Sequence, residues 1–141
     1  MQSILILDDD PGMHKALTHT LTSHRYKVTC AKTTDEAVEH LENQTFDLIL
    51  VDYAMPEHDG MWFLQNTLIP RETKVLLITG YGTRELIGNM FSLGIHGYMM
   101  KPIDEEMLLH NIQFYLGEPV MHESDNMDAS PSHEQNAYPA E

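Results

Sequence analysis

Four short apolar runs in this chain each end in a side chain with reactive oxygen or nitrogen. Ser3–Leu7 runs into Asp8-Asp9-Asp10, Leu48–Val51 into Asp52, Lys74–Ile78 into Thr79, and Gly97–Met100 into Lys101, which precedes Pro102. Carboxylates crowded together repel one another, and a hard divalent cation relieves that repulsion. Mg²⁺ suits a site with few carboxylates and open water positions. A carboxylate beside such a cation can attack phosphorus and form an aspartyl phosphate. The Lys101 ammonium and the Thr79 hydroxyl could then meet the developing charge, so the set suits phosphoryl transfer by positioning and electrostatics. Taken singly, an Asp triplet after a strand is turn and helix-cap chemistry, a Thr at a strand end is structural, and a Lys before Pro is a solvated loop residue. The specificity lies in all four occurring in order at successive strand ends.

This chemistry requires elements that bring those ends to one rim. Residues 3–7 form a continuous apolar run, the pattern of a strand buried on both faces. Asp10 and Pro11 supply an N-cap and a first helical position, and Met13, Ala16, Leu17 and Leu21 give the following helix an apolar stripe through Ser23. Lys27–Ala31 predicts a second strand. Thr34-Asp35-Glu36 caps a helix and loads its start with acid, while Ala37, Val38 and Leu41 face inward. Leu48–Val51 predicts a third strand, Met61–Leu68 a short helix, Lys74–Thr79 a fourth strand, Arg84–Leu93 a helix, and Gly97–Met100 a fifth strand. Asp104 opens a last helix that runs to Leu116. Strands alternating with helices call for an α/β fold with a parallel sheet covered on both faces, which binds ligands beyond the carboxyl ends of its strands. No internal repeat is present.

Composition bounds the rest. The chain has 141 residues, about one domain's worth, and 42% are hydrophobic. Its 22 acidic residues against 8 Lys plus Arg give a net charge of −14, which disfavours direct binding to nucleic acid or to anionic membranes. Cys30 is the single cysteine, so no intramolecular disulfide forms. The first apolar run lacks a basic leader and is too short for a signal sequence or a membrane span. The expectation is a soluble, cytoplasmic protein. Residues 1–116 hold 16 acidic and 8 basic residues. Residues 117–141 hold six acidic residues, no Lys or Arg, and three prolines, with few large apolar side chains. The division is therefore a domain at 1–116 and an acidic tail at 117–141 that is expected to be disordered, because it cannot bury enough surface to offset its ordering entropy.

The segments ILILDDDP, LILVDYAMPEHDG, VLLITGYG and GIHGYMMKPI resemble the signature segments of bacterial two-component response-regulator receiver domains, the chemotaxis regulator among them. The resemblance covers residues 3–116. It implies a doubly wound five-stranded parallel sheet of order 2-1-3-4-5, a flavodoxin-like three-layer sandwich. It also implies that Asp52 is the phosphoacceptor, and that Asp8, Asp9, Asp52 and the backbone carbonyl of Ala54 form the Mg²⁺ site. Thr79 and Lys101 would contact the phosphoryl oxygens. Tyr98 falls at the aromatic switch position, with Thr79 its counterpart, and Lys101–Pro102 at the usual cis peptide. The implied partners are a sensor histidine kinase or phosphotransfer protein, and a downstream protein target or an effector domain not present in this chain. Monomer and homodimer both stay open. Such a domain is not a general enzyme; it phosphorylates and dephosphorylates only its own aspartate. The sequence departs from many relatives at Ala54, which offers only a methyl beside the site, and at His58, where an apolar residue is common.

Three rival readings are weaker. A haloacid-dehalogenase-like phosphatase would use Asp8, Asp10, Thr79 and Lys101 but needs a later paired-acid motif. The acids after Lys101 open a helix instead, and Asp52 would have no role. A flavodoxin-like cofactor binder needs a phosphate-cradling loop where this chain carries three aspartates. A pseudo-receiver that only binds partners would have no use for the intact reactive set.

Other residues carry smaller expectations. His14, His19 and His24 are spaced by five, which does not align them on one helical face for a metal. Trp62 cannot share the inward face of its neighbours Met61, Phe63 and Leu64, so it is part-exposed. Met99 is expected inside and Met100 outside. In the last helix, Met107, Leu108 and Ile112 are expected inward, turning Leu109 and Phe114 toward solvent. With Met100 and Tyr98, these would form an apolar patch for docking a partner.

Overall fold

The computed structural model describes residues 1–117; the expected tail from 118 onward lies outside the described residues. Five strands, β1 (Ser3–Leu7), β2 (Lys27–Ala31), β3 (Leu48–Asp52), β4 (Lys74–Thr79) and β5 (Gly97–Met100), pair in parallel in the order β2-β1-β3-β4-β5. Five helices alternate with them: α1 (Pro11–Ser23), α2 (Thr34–Asn43), α3 (Gly60–Asn66), α4 (Arg84–Ser92) and α5 (Glu105–Leu116). The α/β class and the strand order are those the resemblance implied.

The unbroken apolar runs explain the layers. Successive side chains of a strand point to opposite faces, so each run must be covered twice. Ile4, Ile6, Leu48, Leu50, Leu76 and Ile78 pack with Leu17 and Leu21 of α1 and Leu108 and Ile112 of α5. Leu5, Leu7, Ile49, Val51 and Leu77 face the other way, against Ala37 of α2, Phe63 of α3 and Met90 of α4. Each such side chain contributes about 1.5–3 kcal/mol by leaving water. Among the described residues, no helix is long and apolar enough to cross a membrane.

Several expectations need correction. On α1, Ala16 is exposed, and His14 is buried instead. The α2 cap is Thr33, whose hydroxyl accepts from the Glu36 N–H, while Thr34 is buried. The third helix stops at Asn66, and Leu68 is 97% exposed. The face of α5 is rotated from the expected one. Met107 is 50% exposed, whereas Leu109 packs against the core, and Phe114 is half-buried with its ring edge-on to Tyr115 at 4.8 Å. Buried Asn111 joins Leu108 and Ile112 in the inward stripe, its amide donating to the Met107 carbonyl. Trp62 is half-buried, Met99 is buried and Met100 is exposed, as expected.

Acid predominates at the carboxyl ends of the strands, where Asp8, Asp9, Asp10, Asp52 and Asp104 outnumber Lys32, Arg84 and Lys101; at the starts of β2, β3 and β4, Arg25, Lys27, Arg71 and Lys74 lie with Asp47 and Glu72.

Candidate functional site

The site forms where β1 and β3 lie side by side but their connections diverge, the crevice where open α/β sheets bind ligands. Parallel register brings the ends together: Leu7 pairs with Val51, Asp52 with Ile78, and Thr79 with Met100. Asp8 leaves β1 with its amide bonded to the Ala31 carbonyl at 3.1 Å. Its Oδ1 accepts from the Asp10 N–H at 2.9 Å, which closes the turn into α1, and Asp10 in turn caps that helix through the Gly12 N–H at 2.9 Å. The triplet thus serves as turn chemistry and also places acid at the rim.

Asp8, Asp9 and Asp52 present oxygens that all lie within 4.8 Å of one another. Asp8 and Asp52 are buried, at 2% and 5% exposed, while Asp9 faces solvent. The Lys101 ammonium reaches between the two buried carboxylates, 3.1 Å from Asp8 Oδ2 and 3.5 Å from Asp52 Oδ2. The Lys101 N–H donates to the Thr79 carbonyl at 2.9 Å, which ties its backbone to β4, and the Lys101–Pro102 peptide is cis.

One cation among three carboxylates leaves excess negative charge. Burial, and then the charge of Asp8, raise the Asp52 pKa from 3.8 to about 6, with Lys101 pulling it down and Asp9 pushing it up. Burial works against the charge on Lys101, but Asp52 and Asp8 outweigh it and hold the ammonium above its ordinary pKa. An oxygen-only donor set with a destabilised central carboxylate fits a hard divalent cation such as Mg²⁺, which would relieve the excess charge.

Thr79 is fully buried, and its hydroxyl donates to the Tyr81 carbonyl at 3.1 Å and accepts from the Tyr81 N–H at 3.0 Å. Ala54 is exposed beside the β3 end. Tyr98 is half-buried on β5, one strand from Thr79, with its ring edge-on to Phe91 at 6.2 Å. Of the expected set, Asp8, Asp9, Asp52 and Lys101 are therefore brought into mutual reach, Thr79 is on the next strand, and Tyr98 lies further along the sheet. The partner-surface group divides: Met100 is on the surface, but Leu109 and Phe114 recede. His58 stacks on Trp62, rings 3.7 Å apart at 11°.

Two supports escaped the sequence reading. Gly60 lies directly beneath the end of β3, where an added Cβ would meet the Asp52 carbonyl oxygen at 2.8 Å and Tyr53 Cα at 3.1 Å. Its N–H also bonds the Tyr53 carbonyl at 2.8 Å, which closes the loop under the site. Asp59 caps α3 through the Trp62 N–H at 2.9 Å. The Asp59-Gly60 pair was the available signal, a cap and a small residue at a helix start.

Comparisons with known proteins agree with this geometry. A family model described as the response regulator receiver domain matches residues 4–113. The chemotaxis protein CheY of Treponema pallidum is 31% identical over 115 residues, which cover 77% of this chain and 78% of that protein. The transcriptional regulatory protein GlrR of Escherichia coli is 31% identical over 110 residues, but the chain spans only 25% of its length. A CheY-like response regulator receiver domain protein from Methanospirillum hungatei superposes with a TM-score of 0.78 at 27% identity, covering 96% of this chain and 98% of that one. The chain belongs to the response regulator receiver domain family of two-component signalling.

Proposed function

We propose that Asp52 accepts a phosphoryl group from a phosphohistidine on a sensor histidine kinase or phosphotransfer protein, and that the new charge alters a protein-contact surface. The observation that carries this reading is the convergence of Asp8, Asp9 and Asp52 oxygens within 4.8 Å, with the Lys101 ammonium 3.5 Å from Asp52. In the transfer, an Asp52 carboxylate oxygen forms a bond to phosphorus as the phosphorus–nitrogen bond of the donor breaks. The imidazole leaves with the electron pair and becomes neutral or takes a proton from solvent. Asp8, Asp9, Asp52 and the Ala54 carbonyl would hold Mg²⁺. When bound, that ion supplies neutralisation of the phosphoryl oxygens.

Lys101 has the reach to exchange its bonds to the aspartates for a phosphoryl oxygen. The Thr79 hydroxyl can turn its proton from the Tyr81 carbonyl toward the new anion, and Tyr98 then shifts on β5. This is a population shift biased by a charge-changing modification. The surface it would reach is a concavity of about 310 Å³ between β5 and α5, lined by Tyr98, Met100, Ile103 and Met107. Met100 and Met107 replace Leu109 and Phe114 as the contact residues of that patch. The chemistry stays on the chain's own aspartate.

Phos-tag electrophoresis after acetyl phosphate treatment tests the acceptor. A retarded band is expected for the wild type with Mg²⁺, and none with chelator or for Asp52→Asn. Equal retardation of wild type and Asp52→Asn would remove Asp52 from the reading.

A further inference from the structure

A second concavity, of about 310 Å³, opens at the amino ends of the strands, opposite the Asp52 site. Leu64, Leu68, Ile69 and Leu93 give it an apolar lining, and Arg71 and His96 give it a polar rim. Leu68 is 97% exposed. Lys74 is near enough to His96 to help depress its pKa, after burial. Arg71 and Lys74 border this groove, whereas Arg25 and Lys27 lie at the same end of the strands but beside β2, at the opposite edge of the sheet. Glu72 and Asp47 sit among them, and the Asp47 carboxylate already accepts the Ser3 N–H at 2.7 Å.

The chain leaves α5 at this same end. The Tyr115 hydroxyl donates to the His96 carbonyl at 2.8 Å, which fixes the last turn of α5 against the groove's rim. The Gln2 amide donates to the Leu116 carbonyl at 3.0 Å, and the Gln2 carbonyl accepts the Lys27 N–H at 2.8 Å. Beyond Gly117 the sequence continues for 24 residues, with six carboxylates, no Lys or Arg, and Val120 and Met121 close to the exit. Five extended residues span about 16 Å, so reach does not limit contact with the groove. The acidic carboxyl end of the sheet repels such a segment, whereas Arg71 and Lys74 attract it.

We infer that residues 118–141 dock intramolecularly on the groove between the α3–β4 and α4–β5 connections. Leu68 and Leu93 offer such a segment apolar walls, and Arg71 and Lys74 offer it cations. The occupant is this chain's own acidic segment.

A nitroxide at Ser132→Cys in a Cys30→Ala full-length chain, read by amide signal loss in dilute solution, tests the docking. The amides of Arg71, Leu93, Gly94 and His96 should lose at least half their intensity at low salt and recover it in about 0.5 M NaCl, because screening weakens exposed pairs. Arg71→Glu with Lys74→Glu should abolish the loss while leaving the Asp52 and Thr79 amides unmoved, and Arg71→Lys with Lys74→Arg should keep it. Should the double Glu variant fail to fold, the salt series decides. Groove amides that keep full intensity at low salt would overturn the inference. So would loss spread evenly over the surface, or loss seen only when tagged and untagged chains are mixed, which would mean docking on a second copy.

Discussion

At the scale of single residues, the site is held in electrostatic tension. Asp52 is 5% exposed and beside Asp8, and its carboxyl is raised to about 6. A carboxyl raised in the folded state binds protons more tightly there than in the unfolded chain, so its ionisation destabilises the fold. That penalty is fully present above about pH 6 and disappears as the pH falls through 6 toward 3.8. In chelator, Asp52→Asn should therefore be more stable than the wild type at pH 7.5, by about 1–2 kcal/mol after allowing for screening. The gain should vanish near pH 4, and urea unfolding across that range measures it. An advantage that stayed constant with pH would place its origin outside Asp52 ionisation. Gly60 is the steric counterpart. Gly60→Ala presses a methyl onto the Asp52 carbonyl at 2.8 Å, and the contact is with backbone, which cannot swing away. A loss of about 1–3 kcal/mol is expected in urea unfolding, with the Asp52 and Tyr53 amide resonances displaced.

At the scale of elements, strands were legible and helix faces less so. A run such as LILVD has one reading in an α/β chain, because both its faces must be covered, and its five residues are all buried. Capping was legible where the side chain bonds locally, as at Asp10 and Asp104, each of which accepts an N–H of its helix. The faces of α1 and α5 were misread because periodicity assigns an orientation by hydrophobicity alone. Buried His14 and Asn111 occupy positions that a hydrophobic stripe would leave to apolar residues, while Ala16 and Met107 are exposed. The clustering of Asp8, Asp9, Asp52 and Lys101 was legible for a different reason: parallel strands deliver their ends to one rim whatever the helices do. Gly60 was not, since its role depends on how closely the following loop passes beneath β3. The corrected α5 face has a measurable consequence. Leu108→Ala, at a 1% exposed position, should cost about 2–5 kcal/mol, whereas Met107→Ala, at 50% exposed, should change stability by less than about 0.5 kcal/mol. Paired urea midpoints compare them, and similar losses would contradict the observed face.

At the scale of the whole molecule, the net charge of −14 opposes compaction. Raising NaCl from about 0.02 to 0.3 M shortens the Debye length from roughly 20 Å to 6 Å, which mutes repulsion between surface carboxylates more than it weakens the buried pairs around Lys101. Thermal stability should rise by about 1 kcal/mol over that range, visible in calorimetry without Mg²⁺; a fall would mean that exposed ion pairs outweigh the self-repulsion. The uneven distribution of this charge also bears on how the molecule meets others. Within residues 1–117 the anionic groups crowd the pole bearing Asp52, while Asp47 and Glu72 sit among the four cations at the other, so this part of the chain carries an electric dipole. A tumbling body of that kind experiences a torque in the field of an approaching cationic surface, and it turns so that the pole bearing Asp52 leads. Encounters led by the Asp52 pole are thereby enriched over random ones before any contact forms, and the enrichment is lost as ions accumulate in solution.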